Sequence, residues 1–174
     1  MSTPTDTFDI SALRMTSGEG RRIEQTVAIE PFVLSDETYD VTPSVVAIKL
    51  DISQMTGQGY ALRLRFSASL SGPCMRCLGP AAATFAVDSR EVEQPDSDDP
   101  EMRSPYVSEG QLDLAAWARD ALLLLLPAAL LCRTDCAGLC PVCGVDLNEA
   151  GAEHHHEAEP DPRWAPLRGL NPEK

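Results

Sequence analysis

Two stretches in the first half of the chain alternate apolar and polar side chains with a period of two. In residues 45–53 the apolar face carries Ile48, Leu50 and Ile52, and residues 62–70 repeat the pattern with leucine, phenylalanine and alanine. A β-strand with one buried face has this period. Weaker strand patterns cover residues 23–29 and the stretch around Phe85. Because glycine-containing turns separate the later stretches, the sequence predicts a small antiparallel sheet.

A helix is predicted to follow over residues 114–126. Asp113 is a favourable N-cap residue, and Pro127 cannot continue the helix. The leucines at 122–126 are apolar on every side, so we expect this end to lie between the sheet and another element, with a docking surface for a partner as the alternative. The predicted fold class is therefore α+β, with a small antiparallel β-sheet packed with one main helix and a cysteine-rich zinc-knuckle segment at the C-terminal side.

The chain of 174 residues is long enough for one domain with short extensions. We predict a flexible N-terminal segment over residues 1–20 and a single α+β domain over 21–147. That domain includes an acidic, proline-containing loop at 93–111. An acidic tail follows at 148–174, in which residues 163–170 carry apolar side chains that could dock on the domain.

Charge narrows the classes of partner. The chain has a formal net charge of -13, and residues 93–113 alone hold seven acidic side chains against one arginine. This surplus excludes non-specific coating of nucleic acid, which depends on Lys and Arg neutralising phosphates. It favours a basic protein partner. The candidate contact residues in the loop are Asp96, Asp98, Asp99 and Glu101.

The compartment predicted from the sequence is the cytoplasm. The N-terminus has neither the basic nor the apolar region of a secretory signal. The longest apolar run, residues 121–132, is shorter than the roughly 18 to 20 residues that span a bilayer. We therefore expect neither a membrane nor a small-molecule substrate among the partners.

The six cysteines are clustered, and in a reducing compartment such clusters indicate metal or redox chemistry rather than disulfides. They are Cys74, Cys77, Cys132, Cys136, Cys140 and Cys143. Cys140-Pro-Val-Cys143-Gly144 has the form of a zinc knuckle. A redox pair at Cys74 and Cys77 would need a helix N-terminus, but a strand pattern follows instead. Paired thiolates close the shell of a structural zinc ion, and no catalytic motif is found, so an enzyme is not expected.

The number of zinc ions, one or two, depends on how the ligands are grouped. The favoured grouping joins Cys74 and Cys77 to the cysteines at 132 and 136, and completes Cys140 and Cys143 with two histidines from 154–156. A second grouping uses the four cysteines of 132–143 alone, but its short loops are cramped. A third joins the pair at 74 and 77 to the pair at 140 and 143, and a fourth reading has no metal.

The order of these features resembles the YceD family, the large ribosomal RNA subunit accumulation proteins. The resemblance covers residues 25–170 and lies in Pro73-Cys74-Met-Arg-Cys77, the acidic loop, Leu112-Asp-Leu114 at the start of a helix and the segment 132–147. Asp161-Pro-Arg-Trp164 resembles the tail of members from high-GC Gram-positive bacteria. Related sequences often have Cys-x-Cys after the knuckle, near the place where His154 and His156 stand here, which favours these two histidines as ligands.

The resemblance implies a bacterial, cytosolic, non-enzymatic protein that supports accumulation of large-subunit (23S) ribosomal RNA. Combined with the charge, it suggests binding of a basic ribosomal protein or a pre-50S assembly intermediate, with rRNA contacted indirectly. One competing class is a zinc-ribbon RNA-binding protein with a local basic face that includes Arg63, Arg65, Arg76, Arg90 and Arg133. Another is a thiol or zinc redox sensor.

Overall fold

The structure is a computed structural model that describes residues 4–151, 153–156 and 163. Within these residues the chain forms nine strands and two α-helices. The strands are β1 Thr7–Asp9, β2 Gly20–Ala28, β3 Phe32–Leu34, β4 Glu37–Thr42, β5 Val45–Gln54, β6 Tyr60–Pro73, β7 Pro80–Glu93, β8 Val107–Ser108 and β9 Gln111–Asp113. The helices are α1 Leu114–Leu123 and α2 Leu147–Ala150. The predicted fold class, an antiparallel sheet with one main helix, is confirmed.

Strand β6 is the centre of the main sheet. Strand β7 pairs with it along one edge from end to end, while β5 and β4 follow one another along the other edge. Strand β2 extends the sheet beyond β5, and β3 pairs with β4. All pairings are antiparallel. A separate three-stranded sheet has the order β1-β9-β8.

The core lies on the face of the main sheet that the alternating pattern predicts. Ile48, Leu50, Leu62 and Leu64 are each at most 2% exposed. Helix α1 contacts strands β7 and β2 and buries Trp117. Its first turn is capped as predicted, because a carboxylate oxygen of the residue before it, Asp113, accepts a hydrogen bond from the N–H of the third helical residue at 2.9 Å.

The end of this helix differs from the prediction. The helix ends at Leu123 instead of residue 126, and the N–H groups of Leu125 and Leu126 bond to carbonyls three residues back, which tightens the last turn. Of the leucine run, Leu122 is buried, but Leu124 is 83% exposed and its two neighbours are also exposed. The expected burial between two elements is therefore wrong for residues 123–125, since they stay exposed even though Leu124 and Leu125 lie beside Val87 of β7.

The N-terminal segment 1–20, predicted to be a flexible extension, contains a strand in its described part, residues 4–20. Strand β1 pairs with β9, placing Phe8 opposite Leu112, and Ile10 is 1% exposed. The apolar side chains of this segment find partners about a hundred residues away in sequence. A local reading of charge and proline content cannot detect such a pairing.

The loop predicted over residues 93–111 also contains fixed structure. Its first residue, Glu93, is buried at the end of β7, and Asp99 caps a short 3-10 helix, Pro100–Met102. Strand β8 lies near its end. The predicted tail 148–174 begins inside α2, but its docking segment 163–170 lies outside the described residues except for Arg163, which is exposed. No helix in the described part of the chain has the length and apolarity that a bilayer span requires.

Candidate metal centres

Four cysteine side chains meet at the end of the β6–β7 hairpin. The structure brings the sulfur atoms of Cys74, Cys77, Cys132 and Cys136 within 4.8 Å of one another. The Cys74 and Cys136 sulfurs are 3.8 Å apart, the Cys77 and Cys132 sulfurs 3.6 Å, and all four thiols are free. With zinc–sulfur bonds of about 2.3 Å, neighbouring sulfurs of a tetrahedral site lie about 3.8 Å apart. The donor set and the spacing therefore fit a zinc ion.

The first two of these cysteines occupy the hairpin turn. The Leu78 N–H donates to the Cys74 carbonyl at 2.9 Å, and the Cys74 N–H donates to the Gly79 carbonyl at 2.6 Å. The turn also aims the Arg76 N–H at the Cys74 sulfur, 3.5 Å away. Leu78 takes a left-handed conformation with φ of 60°. This compact turn holds both sulfurs on the same side of the chain.

The other two cysteines come from the segment that returns from α1. The Met75 N–H donates to the Leu130 carbonyl at 2.9 Å, and the Arg76 guanidinium donates to the Cys136 carbonyl at 2.9 Å. These contacts dock residues 130–136 on the hairpin turn. The group therefore joins the end of the sheet to the chain that follows the helix.

A second group contains two cysteines and two histidines. The ligand atoms of Cys140, Cys143, His154 and His156 also lie within 4.8 Å of one another. The Cys143 sulfur is 3.5 Å from His154 Nε2 and 3.3 Å from His156 Nε2. Zinc bonds of about 2.3 Å to sulfur and about 2.0 Å to nitrogen give a tetrahedral edge of roughly 3.5 Å. His155 stays outside this group, with its Nδ1 2.7 Å from the Glu153 carbonyl oxygen.

The two Cys-x-x-Cys turns, 74–77 and 140–143, share one backbone hydrogen bond. In the second turn the Gly144 N–H donates to the Cys140 carbonyl at 2.8 Å, and in the first the Leu78 N–H donates to the Cys74 carbonyl. A hydrogen bond of 3.1 Å from the Leu139 N–H to the Arg76 carbonyl connects one knuckle to the other. The side chains that lie together are those of the favoured grouping, with four cysteines in the first group and two cysteines and two histidines in the second.

Backbone donors and crowding set the thiol pKa values. Burial opposes ionisation of Cys74, but N–H groups including those of Cys77 and Arg76 outweigh it and lower its pKa to about 6. The N–H groups of Cys143 and Val142 likewise lower the pKa of Cys140 to about 6. Burial and the neighbouring Cys77 thiol raise the pKa of Cys132 to about 12. A divalent cation bound to such a group would favour the thiolate form of every cysteine ligand.

Asn148 is a supporting residue that the sequence did not reveal. Its side-chain oxygen accepts hydrogen bonds from the Arg133 guanidinium at 2.6 Å and from the Ala137 N–H at 2.8 Å. Its amide nitrogen is 3.5 Å from the Cys136 sulfur. Asp146, the N-cap of α2, sets its position. The Asp-x-Asn sequence just after the second knuckle was the available signal.

The acidic candidates lie far from both groups. Asp96, Asp98, Asp99 and Glu101 are exposed, and they follow the opposite end of β7 from the hairpin turn. The 14 residues of β7 span about 45 Å at roughly 3.3 Å per residue. Glu93 is turned inward, where its carboxylate accepts from the Ser104 N–H at 2.8 Å and from Arg103 Nε at 3.0 Å. This contact folds the loop back against the end of the strand.

The arginine candidates are divided between two places. Arg63 and Arg65 lie on the outer face of the sheet and form ion pairs, Arg63 with Asp88 at 2.5 Å and Arg65 with Asp51 at 2.6 Å. Arg90 stands opposite Arg63 in the register. Arg76 and Arg133 instead hydrogen-bond within the cysteine-rich end. The five arginines therefore do not make one continuous basic face.

The fold and the two groups define an α+β protein, an antiparallel sheet with one main helix, whose cysteine-rich end holds two groups of side chains that could each bind a metal ion. The chain belongs to the YceD family, since the sequence model of that family, described as large ribosomal RNA subunit accumulation protein YceD, matches residues 62–171. This span contains β6 from residue 62 onward, β7, α1 and both candidate metal groups. The family name connects the chain with a ribosome-related role, and the family is not known as an enzyme family.

Mycobacterial proteins are similar to the chain over most of its length. Uncharacterised proteins of Mycobacterium tuberculosis and Mycobacterium bovis are 38% identical over 168 residues, which is 92% of this chain and 79% of theirs. An uncharacterised protein of Mycobacterium leprae is 40% identical over 65 residues, covering 37% of this chain and 29% of its own length. No solved structure matches the chain significantly.

Proposed function

We propose that this protein is a non-enzymatic factor that supports accumulation of 23S ribosomal RNA by holding a basic ribosomal protein or a pre-50S assembly intermediate. The rRNA is contacted indirectly, and the protein works in the cytoplasm. The observation that carries the proposal is the exposed acidic loop with Asp96, Asp98, Asp99 and Glu101, held by Glu93 at one end of a long hairpin. Family membership supplies the ribosomal context.

Electrostatics favours a protein over bare RNA as the direct partner. A protein with a net charge of -13 repels phosphates at long range but attracts the Lys- and Arg-rich segments of ribosomal proteins. The buried Glu93 carboxylate bonds to the Ser104 N–H, which orders the backbone around the loop. Because the loop is already ordered, it loses less conformational entropy on binding a partner than a disordered acidic segment would lose.

The two cysteine-containing groups support this role as structural zinc sites, one ion in each. Cys74, Cys77, Cys132 and Cys136 would hold the first ion, and Cys140, Cys143, His154 and His156 the second. When bound, zinc supplies a cross-link with a closed ligand shell and no open position for substrate. The protein residues fix the ligands: Arg76 and Asn148 bond to the backbone and sulfur of Cys136.

Metal analysis tests the sites. We expect about two zinc ions per chain. Cys136→Ser should reduce this to about one, and His156→Ala should also remove one. His155→Ala is the matched control, because His155 lies outside the group, and it should keep both ions. A chain that retains a full zinc content after Cys136→Ser would contradict the first site.

Affinity capture at low and high salt, with both protein and RNA identified, tests the partner. We expect a small basic large-subunit protein, and we expect its capture to weaken as salt rises. Neutralising the loop by Asp96→Asn, Asp98→Asn, Asp99→Asn and Glu101→Gln should abolish it. The control neutralises the same number of exposed acidic residues outside the loop, namely Asp36, Glu24, Glu30 and Asp40. Association with naked rRNA that does not respond to the loop variant, with no ribosomal protein captured, would refute the proposal. A steep negative salt slope for that RNA would favour the RNA-binding class.

A further inference from the structure

Strand β7 lies at an edge of the main sheet. Its 14 residues pair with β6 in one continuous register, from Glu93 opposite Tyr60 to Pro80 opposite Pro73. In the part of the chain that the structure describes, no strand pairs with the other side of β7, and no backbone hydrogen bond from another segment reaches residues 80–92. Alternate residues of an antiparallel strand point their N–H and C=O groups away from the paired neighbour. The free side of β7 therefore presents a row of unpaired backbone donors and acceptors.

The first half of this edge lacks the features that protect edge strands. Such strands usually carry a bulge, a proline or charged side chains, lysine above all. The register of β7 with β6 contains no bulge, and residues 81–87, Ala-Ala-Ala-Thr-Phe-Ala-Val, hold no proline and no charged side chain. Ala82, Thr84 and Ala86 are exposed. An unbulged and uncharged edge of this length is a template for another extended segment.

An apolar concavity of about 160 Å³ lies where this edge meets the end of α1. At its rim Leu124 is 83% exposed and Leu125 is 45% exposed. The Trp117 Nε1–H donates to Ser89 Oγ at 2.9 Å, which fixes the helix against the face of the strand that Ser89 shares with Val87. The concavity has room for one aliphatic side chain from a segment paired with β7. Its lining residues are Val87, Asp88, Ser89, Ala121, Leu124 and Leu125.

The charge changes along the same edge. Residues 80–87 hold no charged side chain, whereas residues 88–101 hold seven acidic side chains and one arginine. A segment that lies along β7 therefore meets apolar surface first and carboxylates towards the end of the strand. Lys and Arg side chains complement these carboxylates. A second copy of the chain carries the same net charge of -13, so long-range repulsion opposes pairing of one β7 with another.

We propose that the free edge of β7 binds an extended segment of a basic protein by strand addition, with an aliphatic side chain in the concavity and Lys or Arg side chains towards residues 88–101. The basic character of the partner rests on the proposed function, and the edge adds the place and the mode of binding. In strand addition the backbone hydrogen bonds give affinity, and side-chain pockets give specificity. The segment recognised is therefore extended and has aliphatic residues next to basic ones.

A short synthetic peptide that alternates valine and lysine is the probe. We expect it to bind the full chain, and we expect the β7 amides that face the free edge to exchange with deuterium several-fold more slowly when it is present. The same peptide with N-methyl groups on its backbone amides is the control, because it keeps the charge and loses the N–H donors. It should bind several-fold more weakly and leave the exchange of β7 unchanged.

Leu124→Ser tests the concavity without changing the core, because Leu124 is 83% exposed. This variant should bind the peptide several-fold more weakly. Val33→Ser is the matched control, since Val33 is 67% exposed on β3, which pairs with β4 and not with β7. It should bind the peptide as the wild type does.

Equal binding of the N-methylated peptide, or slowed exchange in the acidic loop but not on β7, would overturn the strand addition. Edge-facing amides that already exchange slowly without peptide would show that this chain or a second copy covers the edge, and would also overturn it. The loop variant separates the two proposals. Capture of a basic ribosomal protein that depends on the loop carboxylates but not on Leu124 would support the proposed function and refute binding at the edge. Slowed exchange of β7 with the peptide, without capture of any ribosomal protein, would do the reverse.

Discussion

Replacing Glu93 with alanine is expected to destabilise the protein although the residue belongs to an acidic loop. Glu93 is 3% exposed and is one of two buried polar residues in the described part of the chain. Its carboxylate accepts from the Ser104 N–H at 2.8 Å and from Arg103 Nε at 3.0 Å. Ser104 is itself buried, so alanine at position 93 leaves its N–H without a partner.

The magnitude follows from these two contacts. An unpaired buried N–H costs about 1–3 kcal/mol. The ion pair adds about 0–1 kcal/mol, because the Arg103 side chain is 50% exposed and solvent screens the attraction. The sum is about 1–4 kcal/mol, with a centre of about 2.5 kcal/mol. At about 2–4 °C per kcal/mol for a protein of this size, this central value lowers Tm by about 5–10 °C.

Thermal unfolding followed by circular dichroism measures this shift, and hydrogen exchange of the amides at 94–104 shows whether the loop opens first. Glu93→Gln retains an acceptor for the Ser104 N–H and should lose about half as much. Glu101→Ala is the control, since Glu101 is exposed in the same loop. If Glu93→Ala and Glu101→Ala unfold at the same temperature and exchange at the same rate, the buried carboxylate does not hold the loop and the reasoning fails.

Two further predictions concern the sheet. The hydrogen bond from Arg22 lowers the pKa of Asp51 below its usual 3.8; burial opposes this shift, and a hydrogen bond from Arg65 adds to it. The ionised Asp51 carboxylate therefore contributes its full stabilisation of the fold above pH 3.8. This contribution is lost as the pH falls through the folded-state pKa. Asp51→Asn should therefore lower Tm at about pH 6, and the difference should vanish near about pH 2; a constant difference across this range would contradict it. Gly72→Ala should lower the free energy of unfolding by about 1–3 kcal/mol in urea titration, because a Cβ there would clash with the Tyr39 ring, whereas the control Gly20→Ala meets nothing closer than 3.5 Å and should unfold at nearly the same urea concentration.

The parts of the fold that were predictable have local causes. The period-two pattern identified β5 and β6 because each has one buried face, and Asp113 marked the start of α1 because capping is a contact over three residues. The family resemblance stated on the cysteine motifs is confirmed by the match over residues 62–171. Each of these signals is contained within a few neighbouring residues.

The parts that were missed depend on contacts distant in sequence. Strand β1 depends on its pairing with β9, where Phe8 lies opposite Leu112, and the leucines at 123–125 stay exposed although their neighbour Leu122 is buried. Asn148 supports the first cysteine group through hydrogen bonds with Arg133 and the Cys136 sulfur, and both partners are at least 12 residues away in sequence. The sequence shows the negative charge of the acidic loop, but it does not show that the Glu93 side chain is buried and bonded to the Ser104 N–H.

The two candidate metal groups close chain loops of very different length. The first connects Cys77 to Cys132, which are 55 positions apart, and the second connects Cys143 to His154, which are 11 apart. A cross-link at the first group therefore removes more conformational freedom from the unfolded chain, by about 1.4 kcal/mol from the logarithm of the loop lengths. With a metal ion bound, the first group would act as a tertiary constraint that joins the sheet to the chain after the helix, while the second would organise its own short segment. Loss of the first cross-link would therefore affect the folding of the whole domain, and loss of the second would affect mainly the chain after residue 140.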